Sequence, residues 1–512
     1  MSNLLPVALS LALSVGQAAP EPRPRAQDTQ SQGQVDAGLP AYYFLLGRYL
    51  EGENKIEDAV TAFKKAIELD PASAEPRAEL AALYARADRA PEAVAAAEEA
   101  LKVDPQNREA NRILGSVLAA YADQKQKVRP GDDPTAYAAR ATKALEIARG
   151  DGSGDLSIDL SLARLYLDAE RPADAVPLLR RIVNEQPQYA EGSVLLAEAQ
   201  EAAGNTDGAI ETLNALLADQ PKFFRGRVQL AELYDRQRKW AEAADAWAQV
   251  QQLNQRNTEV SARRASSLLN AGKPGEALPI LQDALKATPN DVRLTFMLAQ
   301  AQRDAGNADA AEATARALQA AHPEDVRAKF LLGQMLEARG RHAEALAVFK
   351  DAAALAPDNT TVLFQYSAAL DRAGQKPEAQ KILRDLIAKD PLDANALNYL
   401  GYMMAEQRNS LDEAVTLIQR ALKVDPDNPS YKDSLGWAYY QQGKFDLADP
   451  PLSDAAGKLP KDSVIQEHLG DLRLKQNRRS DAIEAWERAL NGDGEGIDKA
   501  RLQKKIDAAR KK

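Results

Sequence analysis

The chain has 512 residues, 45% of them apolar, 27% charged and 5% aromatic, with 28 Gly and 27 Pro; that balance excludes collagen, wholesale disorder and a multi-span membrane protein. It has no cysteine, so disulfides, thiolate metal sites and cysteine nucleophiles are excluded. The net charge of −10 opposes binding to a phosphate backbone, which needs basic footprints.

The first element is an apolar run, LLPVALSLALSV at residues 4–15, followed by Gly16-Gln17-Ala18. It is too short to span a bilayer, which takes ~20 residues. The small residues at its end fit a signal peptide over residues 1–18, cleaved after Ala18, which places the protein in the periplasm or otherwise outside the cytoplasm. A cytoplasmic protein with an apolar leader is the alternative. Residues 19–39 are rich in Pro, Gln and Gly without periodicity and read as a flexible tether.

From residue 40 a proline returns at Pro71, Pro105, Pro187, Pro221, Pro289, Pro323, Pro357, Pro391, Pro426 and Pro460. Most intervals are 34 or twice 34. With that proline at the 32nd place, the eighth place holds a small residue (Gly47, Gly115, Gly333, Gly401, Gly436, Gly470) and the twentieth an alanine (Ala59, Ala93, Ala175, Ala345, Ala482 among others). Small residues there let two antiparallel helices approach closely, and the proline stops the second helix. The unit resembles the tetratricopeptide repeat, a helix–turn–helix of about 34 residues. The expected fold is therefore an all-α, right-handed solenoid of about thirteen hairpins. Residues 40–151 form an N-terminal sub-array interrupted by an insertion at 123–134, 156–393 a middle array and 394–493 three C-terminal units. One residue is extra near Asn409-Ser410. Residues 494–512 end in a basic amphipathic helix that caps the last apolar face.

No stretch is left for a catalytic domain. HExxH, GxSxG and GxxxxGK[ST] are absent from the chain, as is any pair of histidines at metal-site spacing, so no enzyme activity, metal or cofactor is expected. Asn491, Asp493 and Glu495 alternate before Gly496 as in a calcium loop, but Leu502 stands where a bidentate Glu is required, which favours a solvated loop over an ion site.

Function in such an array resides in a groove lined by the second, fifth, ninth and twelfth places of each first helix, with the sixth nearby. In the middle units these hold a mixed lining, such as Arg293, Phe296, Arg327 and Phe330, that points to no particular ligand. In the last three units they hold Asn395, Asn398 and Tyr402, then Asp433, Ser434, Trp437 and Tyr440, then Glu467, His468 and Asp471. Amides and carboxylates beside flat aromatics suit recognition of a peptide or protein. In the competing reading Trp437 and Tyr440 pack between helices and the polar groups cap or solvate.

The runs NALNYLGY (395–402), DSLGWAYY (433–440), HLGD (468–471) and AIEAWERAL (482–490) resemble the C-terminal signature of a bacterial envelope family of tetratricopeptide proteins. That family includes outer-membrane lipoprotein adaptors of a carboxyl-terminal processing protease, although this chain has no cysteine to carry a lipid. The resemblance implies a non-catalytic envelope scaffold whose partners are a protease and its substrates. The alternative is a recruiting subunit of an envelope polysaccharide apparatus. Nucleic acid is not an expected partner.

Overall fold

The computed structural model describes residues 29–150, 154–254, 257–494 and 496–511. Within them the chain forms 27 α-helices and one short 3-10 helix, with no strand. The leader, and the tether as far as residue 28, lie outside the described residues. The rest of the expected tether is not a tether. The first helix runs Thr29–Gly52 and contains Pro40, because no proline interrupts residues 29–39 and their Gln, Asp, Ala and Leu are compatible with a helix.

Helices alternate as first and second members of thirteen antiparallel pairs, followed by one more helix, Lys499–Lys511. Two local devices set each pair. Many first helices begin with an Asn or Asp that accepts a backbone N–H of the first turn, as Asp291 does from Leu294, Asp393 from Ala396 and Asp462 from Ile465, satisfying an otherwise orphaned donor. They end at a left-handed residue in the fifteenth place. It is a glycine at 204, 272, 306, 340, 374 and 443 and a non-glycine at Asn54, Asp88, Glu170, Arg238, Arg408 and Asn477. In the eleventh hairpin Ser410 is left-handed as well, and this second reversal absorbs the extra residue.

The eighth place packs against the large residue of the second helix. A Cβ on Gly47 would lie 2.7 Å from the Phe63 ring, on Gly333 2.6 Å from Phe349, and on Gly436 2.5 Å from Leu452. Glycine is required there by space.

The chain divides into two compact units, Met1–Leu233 and Tyr234–Lys512, at a point inside the helix Phe224–Arg236 and away from the irregular stretch 123–155. In the first unit Phe63, Leu83, Leu118, Tyr137, Leu145 and Leu179 are fully buried. The insertion is packed against this core. The Tyr137 hydroxyl donates to Asp132 at 2.7 Å and accepts the buried Val128 N–H at 2.9 Å, while Arg129 pairs with Glu98 at 2.8 Å. Across 150–155 the fully buried Asp159 accepts from Arg149 at 2.6 Å and Arg181 at 3.1 Å, tying the third hairpin to the fourth. In the second unit Leu281, Phe349, Leu383, Leu452 and Trp486 fill the core. The last helix buries Leu502, Ile506 and Ala509 in one cluster with Trp486, closing that end.

Candidate functional site

The first helices of the last three hairpins, Ala394–Glu406, Pro429–Gln441 and Ser463–Lys475, bring most of the predicted site residues together. Tyr440 stacks on Trp437 with centroids 4.7 Å apart and planes 7° apart, and Trp437 stacks on His468 at 3.9 Å and 12°. Tyr402 lies tilted over His468 at 6.4 Å. His468 Nδ1 is 3.0 Å from the Asp433 carboxylate, and Trp437 Nε1 donates to Glu406. Burial disfavours charge on the imidazole, but Asp433, through charge and hydrogen bond, and then Glu406 and Asp471 outweigh it and hold His468 above the usual histidine value. Burial, then the Glu406 and Asp433 carboxylates, push the Tyr402 hydroxyl well up. Burial and Asp471 push Tyr440 up to about 12.

This geometry corrects part of the expected groove. Trp437 is only 8% exposed, and Asp433, Ser434, Glu467 and His468 are equally buried. Ser434 and His468 occupy the sixth place, which the stacking of successive hairpins turns toward the preceding one. The indole, sandwiched between the imidazole and the Tyr440 ring, follows them into the seam. Packing between helices thus accounts for the stack. Glu467 and Asp471 are also occupied, because the closing helix sends Lys505 to both at 2.7 Å and Arg501 to Glu467 at 2.7 Å. Asp471 further accepts Trp486 Nε1 at 3.0 Å. The sequence carried a signal for this, since basic residues at 501 and 505 follow the acidic end of the row by one repeat.

What stays open is smaller. Asn398, Tyr402, Asp433 and Ser434 line a cavity of about 170 Å³ together with Tyr399 and Ser430. The Asn398 Oδ1 there has no hydrogen-bond partner. Asn395 is exposed, and its Oδ1 accepts the Tyr431 hydroxyl at 2.7 Å.

A larger opening lies where the sequence suggested no particular ligand. The starts of the first helices Val292–Asp304, Val326–Ala338 and Thr360–Arg372 enclose a cavity of about 420 Å³, floored by Phe296, Met297, Val326 and Phe330 and rimmed by Arg293 and Arg327. The Phe330 ring is held edge-on by Phe349 at 6.0 Å. Each arginine has an acidic neighbour, Glu259 for Arg293 and Asp325 for Arg327 at 2.7 Å. The cavity is therefore apolar inside and charge-balanced at its edge, a composition suited to an apolar side chain of a partner. Among the described residues no group of three or more His, Cys, Asp or Glu could hold a metal ion, and no helix is long and apolar enough to cross a membrane.

Family models described as tetratricopeptide repeat match residues 50–119, 166–229, 258–301, 296–360, 336–400 and 405–463. Among curated proteins, a TPR repeat-containing protein of Pseudomonas aeruginosa is 42% identical over 84 residues, 16% of this chain and 14% of that one. Cellulose synthase operon protein C of Xanthomonas axonopodis pv. citri is 27% identical over 285 residues, 54% of this chain and 17% of that one. The chain thus spans less than a fifth of the length of either relative. Among solved structures, a chain of the APC/C hetero-tetramer Cut9-Hcn1 aligns over 94% of this chain and 99% of its own at 13% identity, with a TM-score of 0.43.

Proposed function

We propose, from the premise that the chain belongs to the tetratricopeptide repeat proteins, that it is a non-catalytic scaffold holding partner proteins along its row of first helices. The observation that carries this reading is the phenylalanine-floored cavity of about 420 Å³ at Phe296 and Phe330. An open apolar recess at the start of three first helices fits an anchoring side chain of an extended partner segment, with the ion-paired Arg293 and Arg327 bounding it.

The test is site-specific photocrosslinking in the native cell. A photoreactive residue at Phe296 is expected to give a discrete partner adduct, and one at the exposed Leu392 none. Absence of an adduct at 296 sinks the reading. A Phe296→Asp chain of unchanged helicity is expected to lose capture of that partner by roughly tenfold or more.

The envelope setting rests on the apolar run at residues 4–15 and the C-terminal runs around Trp437 and His468. Protease adaptor is the function those runs suggest. The likeness to the Xanthomonas cellulose synthase operon protein supports a second reading, a recruiting subunit of a polysaccharide apparatus. Mass spectrometry of the crosslinked partner separates the two, and a fusion of residues 1–40 to a reporter active only outside the cytoplasm tests the location.

A further inference from the structure

The third place of every later hairpin is buried: Pro76, Ala110, Ile158, Gly192, Gly226, Val260, Leu294, Ala328, Val362, Ala396, Tyr431 and Ile465. What covers it is the preceding hairpin. A Cβ on Gly192 would lie 3.2 Å from Ile182, and one on Gly226 3.1 Å from Leu216, each on the second helix of the hairpin before. In the first hairpin the third, sixth and tenth places are Tyr42, Leu45 and Tyr49, which are 58%, 65% and 62% exposed. Their spacing puts them on one face of the helix Thr29–Gly52. The face built to receive a neighbour carries large side chains and has no preceding hairpin among the described residues.

We propose that this face pairs with the same face of a second copy of the chain about a two-fold axis. Residues 37–47 contain no charge. Just beyond them Arg48 is paired with Glu79, and Glu51 with Arg86, so these four charges are balanced within each copy and do not oppose an isologous contact. Head-to-tail stacking is opposed by the other end of the chain. There the helix Lys499–Lys511 has turned its apolar side inward, and Lys499, Arg501, Lys504 and Arg510 are exposed.

The three side chains offer roughly 300–400 Å² of apolar surface per copy, enough for the core of a standard interface of ~800 Å² per partner. The apolar run at residues 4–15 is the rival occupant. Under the leader reading given above it is removed on export, and on that point the inference rests on that reading.

The test uses the chain as exported, with the leader removed, at roughly 50 µM, well above the Kd of a stable dimer. Light scattering is expected to give twice the mass of the single exported chain, and Leu45→Glu, which sets like charges across the axis, to give the single-chain mass with unchanged helicity. Because the chain has no cysteine, Leu45→Cys reports the contact directly. Mild oxidation is expected to link it to itself about tenfold more than Leu392→Cys, a similarly exposed control elsewhere. A chain of single mass, a dimer that survives Leu45→Glu, or equal linking at 45 and 392 overturns the proposal. So does a chain found to keep its leader, monomeric and with its residue-45 thiol protected from a soluble reagent, which would make residues 4–15 the cover.

Discussion

Trp437 lies flat on His468, ring centroids 3.9 Å apart and planes 12° apart, although the two belong to different hairpins. An imidazolium on an indole face is an electrostatic attraction as well as a packing contact. Asp433 at 3.0 Å completes the charge balance.

The pair makes the C-terminal hairpins sensitive to alkali. His468 titrates higher in the folded chain than in the unfolded one. Its contribution is therefore fully present below about pH 6.5, the unfolded value, and lost as pH rises through the raised folded value. Hydrogen-exchange protection of the helix Ser463–Lys475, corrected for intrinsic rate, is expected to fall as pH rises above about 6.5. His468→Gln should flatten that dependence and cost roughly 3 kcal/mol locally at pH 6 by leaving Asp433 buried and unpaired. A variant as protected as the parent at pH 6 would refute the pairing.

Asp159 is expected to hold the third and fourth hairpins together. It is fully buried between Arg149 and Arg181, so Asp159→Ala should cost about 3 kcal/mol, the low end for a broken buried pair because both guanidinium groups keep some water. Local exchange in the helix Leu156–Asp168 reads the effect better than a global melt, since an array of repeats opens piecemeal.

Tyr137→Phe removes one oxygen and nothing else. The Val128 N–H loses its acceptor, at a cost of about 1–3 kcal/mol. The expected signature is faster exchange of the Val128 amide with helix content unchanged. If that amide stays as slow as before, the insertion is held by other means.

At the fifteenth place, Glu170 has φ of 56° where six other hairpins have glycine. Glu170→Gly should stabilise the fourth hairpin by roughly 0.5–1 kcal/mol, the relief of left-handed strain less the entropy glycine loses. Thermal denaturation that moves down instead would contradict this balance.

The repeat frame was legible in the sequence because steric rules leave little choice at its marked places. Gly333 must be small under Phe349, and a proline past each second helix cannot continue it. The extra residue near Ser410 was legible for the same reason. Two matters were not. The helix from Thr29 was hidden by a polar composition that suits a tether as well as a helix. The burial of Trp437 depends on His468, a residue of the next hairpin, and no local pattern says how closely two hairpins will stack. Knowing the groove places was enough to mark Phe296 and Phe330 as lining, but only their packing showed that a recess remains between them.

The meeting of the eighth place with the second helix has a consequence for how such arrays change by mutation. Gly47 and Phe63 fit each other in the first hairpin, and Ala81 and Ala97, both fully buried, hold the same places in the second. Passing from one combination to the other takes two steps. Enlarging the glycine first drives a methyl into the ring, whereas trimming the ring first leaves a void of about 3–5 kcal/mol. A ring over a glycine is thus exchanged at a cost whichever site moves first, and the sixth hairpin, which buries Ala231 and Trp247 at the same places, shows a third combination that the two sites accept.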